Sequence, residues 1–524
     1  MPSDQDTQPD TNAEPAVDAH TGRAADRATR RFGVAGLRGV LIGAGEPAPP
    51  AKTDTSRQSQ KQLTGKLAGL SLPRQVWVLS LWPLLEQLLN FLVGTVDLAI
   101  AGRLPGEGSS LDAIDAISVA SYFVWLMTIL QAAVGVGASA IVSRAIGASH
   151  RRLANAGVGQ ALLLGVGASL FAGLSVFLAA GAIARGLGLT GGAIEMAATY
   201  IRVTALGIPM CGALFVGSSV LRAAGDTRSP FYAMLLVNVL NIVLSVGLGG
   251  LRYGPADDPQ SLGLGWGVTG IAAGTAIGWT VGGVLILAIL LSGKSGIRLR
   301  RHRLLPHWHT MRRISRVAAP NLAYQVAFWL INFGLLIYIS MLNQEGAYGA
   351  HSIAMRIKSV SFLPGFAIAV AASTLTGQYL GLGDPERARR ATYIAMSATM
   401  VLVCFCGVFF LLIPETLVGL LSPNTPQYLE LAPPLLRVAA FVMPMLAVNL
   451  ALNGALQGAG DTRNAALINL AGLISFRLVG SYVLAFPLGY GLMGIWIAIT
   501  IDISVRGVAF WFYYRTGRWA RMQV

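Results

Sequence analysis

Seven polar side chains within three apolar stretches could hold a cation or exchange a proton. They are Glu86, Asn90 and Asp97; Asn238, Asn241 and Ser245; and Thr275. At about 100° per helical residue the first three fall within about 40° of one another, on one face. Asn238, Asn241 and Ser245, at i, i+3 and i+7, share a face as well. An acid inside a membrane span costs about 3 kcal/mol on insertion scales, so a face with two acids and an amide should line a cavity, not lipid. In such a cavity a carboxylate can take up and release a proton. Joined by other oxygens it can instead hold a hard cation such as Na⁺, by analogy with other oxygen-ligated ions. Asp97, Asn241, Ser245 and Thr275 supply those oxygens, and Glu86 adds a second acid on the face of Asp97. Amides and hydroxyls alone are equally explained as contacts between helices; an acid deep in an apolar helix is not.

A second group carries amides without charge. Asn321, Gln325 and Asn332 repeat the one-faced spacing, with Tyr324, Phe328 and Trp329 among them. Tyr324, Gln325 and Asn332, together with Asn90 and Asn238, are the expected lining of a cleft for an organic substrate. Further along, Arg477 is an intramembrane cation that must find a partner or water. Asp502 and Arg506, at i and i+4, can neutralise each other.

The elements that must position these residues are membrane helices. Of the 524 residues 54% are hydrophobic and 12% charged, against about 25% charged in a soluble domain. The formal charge of +15 does not point to nucleic acid. Residues 1–64 carry eight basic and eight acidic residues, and the excess lies in short loops between apolar runs, as in a membrane protein with basic cytoplasmic loops. Spans need about 20 apolar residues. Twelve are expected, at 73–102, 112–143, 153–184, 192–220, 230–250, 264–291, 314–342, 349–378, 387–421, 428–456, 464–486 and 489–514. Connections after the even-numbered spans are Arg-rich, and those after the odd ones are short, Gly/Pro-rich or acidic. Both termini are therefore expected in the cytoplasm and the chain in the inner (plasma) membrane.

The chain also repeats itself. Leu221-Arg-Ala-Ala-Gly-Asp-Thr-Arg228 recurs as Leu456-Gln-Gly-Ala-Gly-Asp-Thr-Arg463. Pro83, Pro209, Ser139 and Gly147 correspond to Pro320, Pro444, Ser373 and Gly381. Six spans per copy give both copies the same orientation, related by an axis along the membrane normal, with a cleft between them where transporters place their substrate. The expected fold is all-α: twelve helices in two six-helix lobes. Its parts are a disordered tail 1–64, a first lobe 65–292, a basic solvated linker 293–313, a second lobe 314–515 and a tail 516–524. The duplicated loop reads as a solvated turn with an Asp N-cap.

Other chemistry finds no support. Gly-x-Gly-x-x-Gly patterns at 186–191 and 265–270 do not follow a strand, and no Walker A, His-Glu-x-x-His or Gly-x-Ser-x-Gly sequence occurs. Cys211, Cys404 and Cys406 sit in apolar runs with no disulfide or zinc spacing. No organic cofactor is implied, and the chain is expected to act as a monomer, not as an enzyme.

The paired Gly-Asp-Thr-Arg loops, Gly94-Thr-Val-Asp97-Leu-Ala-Ile-Ala-Gly102, Asn241-Ile-Val-Leu-Ser245 and Gly267-Val-Thr-Gly-Ile-Ala-Ala-Gly-Thr275 resemble motifs of the multidrug and toxic compound extrusion (MATE) family, over residues 73–515. The resemblance implies cation export coupled to Na⁺ or H⁺, with a first-lobe cation site at Asp97, Asn241 and Thr275. Ser245 stands where the family often has Asp, and the second lobe lacks the acids of some members around Phe328 and Leu446. Coupling through Asp97 is therefore expected, with Glu86 replacing the missing acid. The expected cargo is a small organic, cationic compound. The alternatives are a flippase for lipid-linked or polyprenyl-type precursors and, more remotely, a non-transporting intramembrane enzyme or scaffold.

Overall fold

The computed structural model describes residues 63–522 apart from 64–66, 105–108, 187–190, 254–259, 301–303 and 423–424. The expected tail over 1–62 lies outside the described residues. The first copy consists of α1 (Leu72–Ala101), α2 (Ser109–Gly147), α3 (Arg151–Gly186), α4 (Gly192–Ala223), α5 (Arg228–Gly249) and α6 (Val268–Ser292). A two-stranded antiparallel hairpin, β1 (Leu251–Tyr253) and β2 (Gln260–Leu262), joins α5 to α6, with Leu251 opposite Leu262. The second copy has α7 (Trp308–Met341), α8 (Ala347–Leu382), α9 (Pro385–Leu412), α10 (Pro414–Leu421), α11 (Pro426–Phe441), α12 (Met443–Ala459) and α13 (Thr462–Gly472). A π-helical segment (Leu473–Val479) continues α13 into α14 (Gly480–Ala485), and α15 (Gly491–Arg515) follows.

Among the described residues, ten helical stretches are long and apolar enough to cross a membrane, or eleven when α11 and α12, bent by 57°, are taken as one span. The remaining expected span is α1, which carries Arg74, Glu86 and Asp97 within its 30 residues. Outward faces such as that of α3, with Leu170, Phe171, Leu174 and Leu178 exposed, suit a lipid surrounding. The chain is a multi-pass membrane protein.

The repeat is not carried through evenly. Pro209 is accommodated inside the continuous helix α4, whereas its counterpart Pro444 stands in the first turn of α12. A proline has no N–H to give the preceding turn and is favoured at a helix start; the expected tenth span breaks there. The expected ninth span ends its first helix at Leu412, and Pro414 opens α10.

The lobes meet along α2, which packs against α7 and α8. At the Arg-rich end this contact is backbone to backbone. A Cβ on Gly147 would run into the Gln378 backbone, and one on Gly381 into that of Arg144. Arg144 and Gln378 hold the same place in the repeat. The Arg144 guanidinium donates to the Ala459 carbonyl at 2.8 Å and to that of Met522; the Gln378 amide donates to the Ala223 carbonyl at 2.8 Å. Each thus crosses the seam to satisfy a final carbonyl of a helix in the other lobe, one that its own helix leaves unbonded.

Two surface expectations are corrected. The duplicated loops are not solvated: Asp226 and Asp461 are buried. The Asp226 carboxylate accepts from the Ser229 hydroxyl at 2.7 Å and from that of Ser295. Asp461 accepts from Asn464 at 2.8 Å and from the Tyr513 hydroxyl. The basic linker is packed in part, because Ile297 and Leu299 are buried and join the first lobe's core. It ends earlier than expected: α7 begins at Trp308, where the His307 ring accepts from the Thr310 N–H.

Candidate functional site

Four helices of the first lobe bring the chemistry together. Asp97, near the end of α1, is buried with Asn241 and Ser245 of α5 and Thr275 of α6. The Asn241 amide donates to Asp97 Oδ1 at 3.1 Å, and the Thr275 hydroxyl to Asp97 Oδ2 at 3.0 Å. Ser245 Oγ stands 3.5 Å from Asp97 Oδ1. The Asn241 amide nitrogen also lies 3.0 Å from Thr275 Oγ1. On α4 the buried Tyr200 hydroxyl faces both Asp97 and Thr275.

Local sequence explains the approach. Gly270, Gly274 and Gly278, one turn apart on α6, face α5; a Cβ on Gly274 would come 2.6 Å from Ser245 Oγ, and one on Gly270 would strike the backbone of Leu248 and Gly249. Small residues at this spacing let two membrane helices touch by their backbones, which brings Thr275 within reach of Asn241.

The group offers a carboxylate, an amide oxygen, two hydroxyls and the Ile271 carbonyl, which lies 3.4 Å from Ser245 Oγ and 3.3 Å from Thr275 Oγ1. Asn241 Oδ1 is buried with no hydrogen-bond partner. A buried unpaired acceptor is costly, and beside a single carboxylate it leaves an oxygen for a monovalent cation. A proton on Asp97 is the alternative neutraliser. The geometry fits either ion.

The other expected site residues lie elsewhere. Glu86 does not join Asp97, because both of its carboxylate oxygens lie within 2.7 and 2.9 Å of one guanidinium nitrogen of Arg222. Eleven residues of helix, about 16 Å along its axis, separate the two acids although they share a face. In the second copy Gln457, the counterpart of Arg222, approaches Asn321 of α7 at 3.5 Å, so an amide contact takes the place of the ion pair. Asn90 bonds Gln87 at 3.1 Å, and Asn238 bonds the Met234 carbonyl of its own helix at 2.8 Å. Gln325 is partly buried. Tyr324 stands 6.2 Å, ring centre to ring centre, from Phe328. Asn332 donates to the Phe328 carbonyl at 2.7 Å, and its own oxygen lies 3.5 Å from Arg477. Sequence reasoning did not single out Tyr200. A tyrosine in an apolar helix carries no spacing signal, and only the packing of α4 on α6 turns it towards Asp97.

Comparison with known proteins follows the two copies. The family model MatE matches residues 84–246 and 320–483. The chain is 28% identical over 445 residues to the "Probable multidrug resistance protein NorM" of Thermotoga maritima, covering 84% of this chain and 91% of that one. To the "Multidrug resistance protein MdtK" of Photorhabdus laumondii it is 24% identical over 453 residues, covering 83% and 93%. The fold matches "Crystal structure of MATE in the bent conformation" with a TM-score of 0.76 at 21% identity, over 85% of this chain and 96% of that one. It matches "Outward-facing conformation of a multidrug resistance MATE family transporter of the MOP superfamily" with 0.76 at 21%, over 87% and 98%.

Proposed function

The chain belongs to the MatE family, which is made up of transporters and not enzymes, and on that premise we propose that it is a secondary antiporter that exports organic compounds by alternating access, driven by H⁺ or Na⁺ at Asp97. The observation that carries this reading is the buried Asp97 group: one carboxylate in a cage of amide and hydroxyl groups, with the Asn241 oxygen unbonded. Export of drug-like compounds is drawn from the names of the relatives and from the two-lobed fold.

Neutralising Asp97 with a proton alters its bonds to Asn241 and Thr275, and hence how α1 packs on α5 and α6. A bound ion biases an equilibrium between two states only by the difference in its affinity for them. Asp97 supplies that difference if its cage differs between the inward-open and outward-open arrangements. Asn241, Ser245, Thr275 and Tyr200 are assigned to the same cage. Glu86 is assigned to the Arg222 pair and not to coupling. The cationic character of the expected cargo rests on the Asp97 carboxylate alone. Basic loops support an inner-membrane location with both termini cytoplasmic.

Purified protein in liposomes should show substrate efflux driven by an imposed gradient, and Asp97→Asn should abolish it. Imposing the Na⁺ and pH gradients separately identifies the ion. Unchanged efflux in Asp97→Asn would remove the acid from the mechanism.

A further inference from the structure

The second lobe holds an imbalance of charge that the Asp97 cage does not use. Lys358 of α8, Arg477 of the π segment and Arg506 of α15 contribute three cations, and Asp502 of α15 contributes one acid. The single carboxylate serves both guanidinium groups: Arg477 donates to it at 2.9 Å and Arg506 at 2.7 Å. Arg506 also donates to Asn469 at 2.9 Å. Lys358 is within electrostatic range of all three charges. Its ammonium lies 5.4 Å from the centre of the Trp496 ring, and among the described residues no carboxylate forms a salt bridge with it.

These groups are deep. Lys358 is eleven residues into α8 and Asp502 eleven into α15, about 16 Å from the helix ends in a hydrocarbon layer about 30 Å thick. A lysine stem cannot snorkel that far. A purely structural role explains Asp502 with Arg506, and even Arg477 as a second claimant on the same acid. It does not explain an amine set beside two guanidinium groups that share one acid, where a further uncompensated charge would cost about 3 kcal/mol. The surroundings supply the rest of a site. The Arg477 guanidinium lies 5.4 Å from the centre of the Phe328 ring, so the aromatic pair of Tyr324 and Phe328 runs up to Arg477. An aromatic pair that ends in excess positive charge complements a molecule with an aromatic body and an anionic end.

We infer that this group is an anion-binding subsite of the second lobe, with Lys358 and Arg477 as the contacts for a carboxylate, sulfonate or phosphate on an aromatic organic compound. Asp502 is a positioning residue that aims the two arginines. The inference rests on the transport reading above and changes the expected cargo, from a purely cationic compound to one that carries an acidic group, alone or beside a cationic one. The same anionic chemistry can come from a lipid phosphate.

The test is calorimetric binding of naphthalene-2-acetate and of its uncharged amide to the purified full-length chain, in detergent and in nanodiscs of phosphatidylcholine with or without phosphatidylglycerol. The acid should bind at least ten-fold more tightly than the amide. Lys358→Gln should erase that preference, Lys358→Arg should keep it, and Asp97→Asn should keep it too, so that failure of the coupling assignment leaves this result readable. Displacement of the acid by phosphatidylglycerol supports the subsite with lipid as a competing occupant. Equal binding of acid and amide, no binding of the acid in detergent, or a preference that survives Lys358→Gln in a chain with unchanged thermal unfolding would overturn it.

Discussion

Asp97 and Glu86 are two acids on one face of one helix with different fates. The first is held only by neutral groups; the second is neutralised by Arg222. A carboxylate with a permanent counter-ion is a poor coupling group, because any proton or Na⁺ must compete with the guanidinium. Glu86→Ala should therefore leave the ion dependence of efflux unchanged while lowering stability, because Arg222 loses its partner. Breaking a well-buried pair costs about 3–5 kcal/mol, and since both side chains here keep some exposure, 15% and 9%, a loss of about 1–3 kcal/mol is expected. Denaturant unfolding measures it, and a change in ion dependence would return Glu86 to the coupling site.

At the scale of the element, the α5–α6 contact decides whether Asn241, Ser245 and Thr275 form one group. Gly274 sets their separation: a methyl group there must push Ser245 aside. Overpacking of this kind costs about 1–3 kcal/mol. Gly274→Ala should reduce gradient-driven efflux by ten-fold or more while the chain still reaches the membrane folded. Efflux at the level of the unaltered chain would show that the close approach is not needed. The π segment around Arg477 is a second case. Such bulges recur at functional sites, and this one carries the guanidinium shared between Asp502 and Asn332.

For the whole molecule, the reciprocal bonds of Arg144 and Gln378 hold the two lobes together at the Arg-rich end. If the lobes rock against each other, these bonds must break in each cycle. Arg144→Ala combined with Gln378→Ala should loosen that end. Ser143, fully buried in the seam beside Gly377, then serves as a reporter. A cysteine placed at Ser143 should react with a membrane-impermeant maleimide several-fold faster in the double variant. An unchanged rate would mean that the seam stays closed throughout.

Much of this was legible in the residues. The apolar runs placed a helix at each expected span, ten or eleven of them among the described residues long and apolar enough to cross a membrane, because lipid forces every spanning segment to satisfy its own backbone, and the repeated loop disclosed the two lobes. Helical spacing put Asn241 and Ser245 on one face and marked Asp97 as the acid in need of a reason. Helical spacing sees angle and not depth or neighbours, so it placed Glu86 with Asp97 although Arg222 had claimed it. It also left the Gly-Asp-Thr-Arg loops in water, whereas the fold buries their aspartates against Ser295 and Tyr513. Tyr200, the Arg144–Gln378 exchange and the crowding of Lys358, Arg477 and Arg506 around one carboxylate come from contacts between residues far apart in the chain. Periodicity along one helix carries no information about such contacts; only the packing of helix on helix decided them.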